Sequence, residues 1–145
     1  MGFLSKLFKS KPDKVYHTSI GSFTLVYSKK EKNIWSSASG KFCRSVGGTN
    51  TEPDPAQLEF LSTIDERIES LSTSITERFN ELFLEAGLDI TISNWQDRFA
   101  IGGVDIHNVS PDNTDWIISF DDQEEDVTYN LFVEGTEALD FSIDS

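Results

Sequence analysis

The sequence predicts an α+β domain: an antiparallel β-sheet in two sequence blocks, packed on one long central helix that is either unbroken or kinked. Three observations carry this. Apolar residues recur at every second position from Lys14 to Val46 and again from Asp89 to Ile143. Between those blocks, from Asp54 to Gly87, they step by threes and fours. The 11 Phe, 3 Trp and 3 Tyr among 145 residues supply the large buried areas that a folded core needs.

Residues 1 to 13 read as a basic amphipathic segment in which Phe3, Leu4, Leu7 and Phe8 would share one side of a short helix, with Lys6 and Lys9 nearby. A helix of under about three turns is marginal alone in water. A loosely docked terminus is therefore the plain expectation, and weak contact with a membrane surface or a partner is the alternative. The segment shows no secretory apolar core, and Lys6 stands where a myristoylation signal wants Ser or Thr. No run of about 18 apolar residues occurs, so no transmembrane segment is expected. A single cysteine, Cys43, fits a reducing compartment, and a cytoplasmic location is expected.

Residues 14 to 145 read as one domain. Val15 to Ser19 and Ser22 to Tyr27 are predicted strands about an Ile20-Gly21 turn, with Phe23, Leu25 and Tyr27 on one face. Lys29 to Asn33 is a polar turn, and Ile34-Trp35 and Phe42 to Val46 continue the series across Ser39-Gly40-Lys41. Gly47 to Pro53 then breaks the sheet. Gly47-Gly48 is not a phosphate-cradling loop, because Asp54 and Pro55 occupy the places where such a loop needs Lys and Ser or Thr.

The predicted helix begins with Asp54 as N-cap and Pro55 at its first position, with Gln57 completing a box-like pairing, and ends at Gly87 in the left-handed conformation. Its apolar stripe is Leu58, Leu61, Ile64, Ile68, Leu71, Ile75, Phe79, Leu82 and Ala86. Ser70 to Thr76 holds mediocre helix formers, and Ser74 to Glu77 resembles a second capping box, so any kink is expected near Thr73.

In the second block Asp89 to Ser93 is a predicted strand, and Phe99 to Val109 a strand interrupted by a bulge at Gly102-Gly103. Three strands follow: Trp116, Ile118 and Phe120 share a face, as do Val127, Tyr129, Leu131 and Val133, and likewise Leu139, Phe141 and Ile143. The turns Asp121 to Asp126 and Glu134 to Glu137 are short enough to force antiparallel neighbours. About seven or eight strands result, laid as a meander on the helix.

Charge bounds the function. With 25 acidic against 12 basic residues the chain carries a formal −13, which argues against nucleic acid as a ligand. Residues 1 to 32 hold seven lysines against two carboxylates, and after Arg98 there is no Lys or Arg at all.

Several residues could carry chemistry, and each has a plainer reading beside it. Asp105 and His107 would project on one side of a strand, but a metal or catalytic site wants further ligands, and the only other histidine is His17. A triad of Cys43, His107 and Asp105 lacks any local feature that would activate the thiol. The five carboxylates Asp121, Asp122, Glu124, Glu125 and Asp126 lack the glycine, final glutamate and helical flanks of a calcium loop. No metal or other cofactor is therefore expected. The acidic turn reads as a solvated hairpin tip or as a docking surface for a basic partner. Asp112 and Asp115, with Glu134 and Glu137, form a second acidic end, and the outer sheet face with Asp140 is a third candidate. Trp95, beside Arg98 in a polar stretch, reads as a core residue or as an exposed interface anchor.

Gly21-Ser22-Phe23-Thr24 in an early strand, Trp35 in the next, the long capped helix, Asp115-Trp116-Ile117-Ile118-Ser119-Phe120 and the closing Phe141-Ser142-Ile143-Asp144 resemble small acidic bacterial families that include polymorphic-toxin immunity proteins. The resemblance rests on architecture and scattered aromatics, so it carries over no functional residue. It implies a cytoplasmic, non-enzymatic protein that binds and blocks a basic toxin domain. The rival expectations are an enzyme or small-molecule binder with a pocket between sheet and helix, using Asp105, His107 or Trp95, and a membrane adaptor using residues 1 to 11.

Overall fold

In the computed structural model, residues 13 to 144 are described, and the expectations for the basic segment before them lie outside that range. The chain runs β1 (Val15–Thr18), β2 (Gly21–Lys29), β3 (Lys32–Ser37), β4 (Cys43–Gly47), α1 (Pro55–Ser62), α2 (Ile64–Ser70), α3 (Ser72–Glu85), a 3₁₀ turn (Trp95–Asp97), β5 (Phe99–Val109), β6 (Thr114–Asp122), β7 (Thr128–Glu134) and β8 (Glu137–Asp144). All eight strands join one sheet in sequential order. Among the described residues, no helix is long and apolar enough to cross a membrane.

The expected antiparallel sheet on one long central helix is corrected in two respects. First, the sheet is mixed. Each block is an antiparallel meander, but β4 and β5 pair in parallel, Cys43 to Ser45 against Gly103 to Asp105. The helical segment lies between the blocks and carries the chain back to the end where β4 began, which is what parallel neighbours require.

Second, the helix is three helices. The breaks fall at Thr63 (φ −114°, ψ 20°) and Leu71 (φ −93°, ψ −3°), not at Thr73, and the box-like Ser74 to Glu77 lies inside α3. Hydroxyls take up carbonyls at the breaks: Ser62 donates to Glu59 O, Thr63 to Phe60 O and Ser70 to Arg67 O. Such back-bonding competes with the helical ladder and bends it. The apolar stripe nevertheless stays continuous, with Leu61, Ile64, Ile68, Leu71, Ile75 and Phe79 all buried. Phe83 is buried at the C-terminal end, where Leu82 is half-buried and Ala86 exposed.

The capping residues behave as expected at both ends. Asp54 Oδ1 accepts from Ala56 N (2.9 Å) and Gln57 N (3.2 Å), and Gly87 takes φ +72°. Gln57 does not close a box: its Oε1 accepts from Gly47 N at 2.8 Å and ties α1 to the end of β4.

Three further local expectations change. Residues 89 to 93 form no strand, because Asn80 of α3 donates to Ile92 O (3.0 Å) and accepts from Ile92 N (2.9 Å), satisfying that backbone itself. A register shift between Leu25 and Tyr27 sets Leu25 opposite buried Trp35 but Tyr27 opposite Ile34, so Tyr27 leaves the face of Phe23. A shift between Leu131 and Val133 puts Ala138, rather than Leu139, opposite Val133 in the core.

The helices cover one face. Phe79 of α3 sits at the centre of an aromatic cluster, 3.9 Å from Phe99, 4.5 Å from Phe141 and 5.3 Å from Phe120 between ring centroids. Phe60 of α1 meets Trp116 edge to face at 5.3 Å. Arg78 Nε donates to Ala138 O (3.1 Å) and fixes α3 to β8.

Candidate functional site: the acidic half-sheet

The sequential strand order turns the charge asymmetry of the sequence into a lateral one. Residues 14 to 47, which build β1 to β4, hold six basic residues and one acidic. Residues 99 to 144, which build β5 to β8, hold twelve carboxylates and no Lys or Arg.

On the helix-free face of β5 to β8 the register sets side chains in rows. Asp105, Ile117 and Phe132 are cross-strand neighbours on β5, β6 and β7. Phe132 is 41% exposed, so this row is an apolar anchor with an acidic end. Two residues along, Asp115 lies opposite Glu134, and Glu134 opposite Glu137, three carboxylates in register. Like charges directly opposite repel. On the other side of the anchor Ser119 donates to Asn130 Oδ1 (2.7 Å), Asn130 Nδ2 to Asp144 (2.8 Å) and Thr128 to Asp121 (2.9 Å). Phe132 and Ile117 were not singled out from sequence. The signal was present: Tyr129, Leu131 and Val133 occupy the core phase of β7, and Phe132 is an aromatic in the opposite phase.

The acidic turn is only partly free. The Asp122 side chain is fully buried and accepts from Arg98 Nε (3.2 and 3.3 Å) and Nη2 (3.0 Å). Arg98 Nη1 also reaches Glu124 Oε2 at 3.1 Å. The Asp122 hydrogen bond is the largest influence on Arg98 and raises its pKa above the ordinary value. Asp122 therefore holds the turn to the body of the protein, while Asp121, Glu125 and Asp126 face solvent, as does Glu124. Asp112 is exposed and Asp115 half-buried at the opposite end of β6. Trp95 is a core residue: its ring meets Phe120 at 5.2 Å, and its Nε1 donates to Ser72 Oγ at 3.0 Å.

Asp105 and His107 flank buried Ile106; Asp105 faces away from the helices opposite Ile117, whereas a register shift between Ile106 and Asn108 sets Asn108 rather than His107 opposite Asp115, so the two do not share the regular strand face expected of them. They line a surface cavity of about 740 Å³ at the carboxyl end of β4 and β5, with Lys32, Asn33 and Gln57. That cavity is not between sheet and helix at Trp95, so these three residues do not form one site. Cys43 is exposed, with Sγ 3.3 Å from Ser36 Oγ. It pairs with Gly103, four residues before His107, roughly 13 Å along a strand, so no Cys-His pair is assembled. Among the described residues, no group of three or more His, Cys, Asp or Glu is placed to hold a metal ion.

Among the described residues, fold and surface together define an α+β protein with an eight-stranded mixed sheet, whose open face is acidic over β5 to β8 and carries an exposed aromatic, Phe132, within that acidic half. No protein-family model, curated protein or solved structure matches the chain.

Proposed function

We propose that this chain is a non-enzymatic binding protein that captures a basic protein domain on the open face of β5 to β8. More specifically, it acts in the cytoplasm as an immunity protein against a cationic toxin domain. The supporting observation is the Ile117–Phe132 pair, an apolar anchor flanked on the open face by Asp105, Asp115 and Glu134, in a half of the sheet whose strands hold no Lys or Arg. A central aromatic with a charged rim is the arrangement in which a few residues carry most of an interface's binding energy. The surrounding carboxylates speed encounter with a cationic partner and disfavour anionic ones. The toxin assignment draws on the resemblance of the sequence to immunity families, and the surface assignment on the geometry alone.

The test is calorimetric and kinetic binding to the toxin domain encoded in the adjacent reading frame. Phe132→Ala is expected to weaken binding about tenfold or more. Asp115→Asn with Glu134→Gln should slow association and flatten its salt dependence, while Glu81→Gln on α3 leaves both unchanged. Unaltered affinity in both sheet-face variants would remove this surface from consideration.

A further inference from the structure

On the other half of the molecule, and on the helix-covered face, Arg44 of β4 stands beside a cavity of about 310 Å³. The walls come from Ile20, the loop Ser39 to Phe42, Leu61 and Ser62 of α1, and Ile64 and Asp65 of α2. Arg44 Nη2 donates to Ser39 O (3.1 Å), Ser37 Oγ (3.3 Å) and Ser39 Oγ (3.4 Å). Its Nε is buried and has no hydrogen-bond partner among the described residues. The ion pairs among those residues belong to Arg78 and Arg98, so no carboxylate of the described residues lies within 4.0 Å of the Arg44 nitrogens.

Arg44 is half-buried, and a guanidinium partly withdrawn from water without a counter-ion loses solvation that nothing here replaces in full. Its position 5.5 Å from the Phe23 ring centroid offsets only part of that. The room around it is built in. A Cβ on Gly21 would fall 2.7 Å from Ser39 Oγ and 2.8 Å from Arg44 Nη2, and Gly21 has φ +129°. Lys41 adds a second positive charge to the wall, and Asp65 adds one carboxylate that pairs with neither cation.

We infer that this cavity binds the oxyanion group of a small molecule, a phosphate or a carboxylate, through the guanidinium Nη groups of Arg44, its Nε being closed off from the cavity, with Lys41 at the rim. The planar fork of Arg suits such groups bidentately, and the volume is at the lower bound of ordinary small-molecule sites, about 300 Å³. The site is independent of the acidic face.

The experiment follows the Arg44 Nε–H resonance by ¹H–¹⁵N NMR while inorganic phosphate and, separately, succinate are added at pH 7. Sodium chloride of equal ionic strength is the control. A saturable shift of Arg44 with phosphate or succinate, absent for Arg67 and Arg78, is the expected result, and whichever anion saturates identifies the source chemistry. Lys41→Gln should weaken the response roughly threefold, and Arg44→Gln should abolish it. Should Arg44→Gln fail to fold, the wild-type and Lys41→Gln titrations still decide. An Arg44 resonance that moves no more with either oxyanion than with chloride overturns the site.

Discussion

Replacing Arg98 by Ala should destabilise the fold by about 3 kcal/mol or more, although the side chain reaches the surface. The reason is Asp122. Its side chain is 0% exposed and that of Arg98 is 14% exposed, with the shortest N–O distance 3.0 Å. Unit charges about 4 Å apart attract by about 4 kcal/mol at an effective dielectric constant near 20. Desolvation offsets most of that in the intact pair, but removing one partner leaves the other charge buried and costs about 3–5 kcal/mol. In Arg98→Ala, Asp122 keeps the hydrogen bond from Glu124 N (2.9 Å) and loses the guanidinium. Glu124→Gln removes an ion pair to a side chain that is 66% exposed, and should cost less than about 1 kcal/mol. Urea unfolding followed by tryptophan fluorescence gives both values, and the double variant Arg98→Met, Asp122→Leu should recover most of the loss. If Arg98→Ala costs no more than Glu124→Gln, Asp122 is not anchored as described and would rejoin the carboxylates open to a partner.

Phe79→Ala empties the centre of the aromatic cluster, where Phe79 is 0% exposed, and should cost about 3–5 kcal/mol in the same assay. Asp54→Ala removes the two N-cap hydrogen bonds of α1 and should cost about 1 kcal/mol in thermal unfolding. Tyr129 has its pKa raised above 10.0 by burial first and by Asp122 next. Above pH ~10 the unfolded chain therefore loses a proton that the folded chain keeps, and stability falls with rising pH by up to about 1.4 kcal/mol per unit until the folded pKa is reached. Tyr129→Phe should remove that component from alkaline unfolding curves. Asp115→Asn with Glu134→Gln relieves a like-charge pair in direct register and should raise stability by about 0.2–1 kcal/mol, read as a higher urea midpoint.

Period and capping chemistry made much of the fold legible. The stripe from Leu61 to Phe79, the Asp54 cap, the Gly87 terminus and the core faces of β6 and β7 follow from the spacing of apolar residues and from local backbone preference. The misplaced features depend on partners distant in the chain. Ile90 and Ile92 alternate as a strand would, but Asn80 supplies the backbone partners that a neighbouring strand would have given. Gln57 fits a capping box by spacing, but Gly47 N lies within its reach once β4 ends beside α1. Bulges displace Tyr27 and Leu139, because a single irregular residue inverts the phase of everything after it. In the acidic turn, composition showed five carboxylates but could not tell that Asp122 faces Arg98 across 24 residues of chain. The half-sheet polarity needed only the strand order, since the charge blocks were already separate in the sequence. The anchor at Phe132 needed the registers of β6 and β7 as well.

Edge protection and the proposed partner binding would draw on the acidity of β5 to β8 in separable ways. β8 is an edge strand, and Glu137, Asp140 and Asp144 along it discourage another strand from adding there. That role needs no partner. It does not account for the face, where Asp115 and Glu134 repel each other on interior strands β6 and β7, nor for an aromatic exposed between two rows of polar side chains. A face selected only for solubility would carry Thr or Lys at position 132 and a cation beside Asp115. On the proposed reading, the arrangement costs the isolated protein stability, and a positively charged surface covering it would relieve that cost. Variants at Asp115 and Glu134 should therefore move stability and partner affinity in opposite directions, whereas Glu81→Gln on α3, away from the face, should leave affinity unchanged. Opposite signs at the face, with no effect on the helix side, separate a binding surface from a merely acidic one.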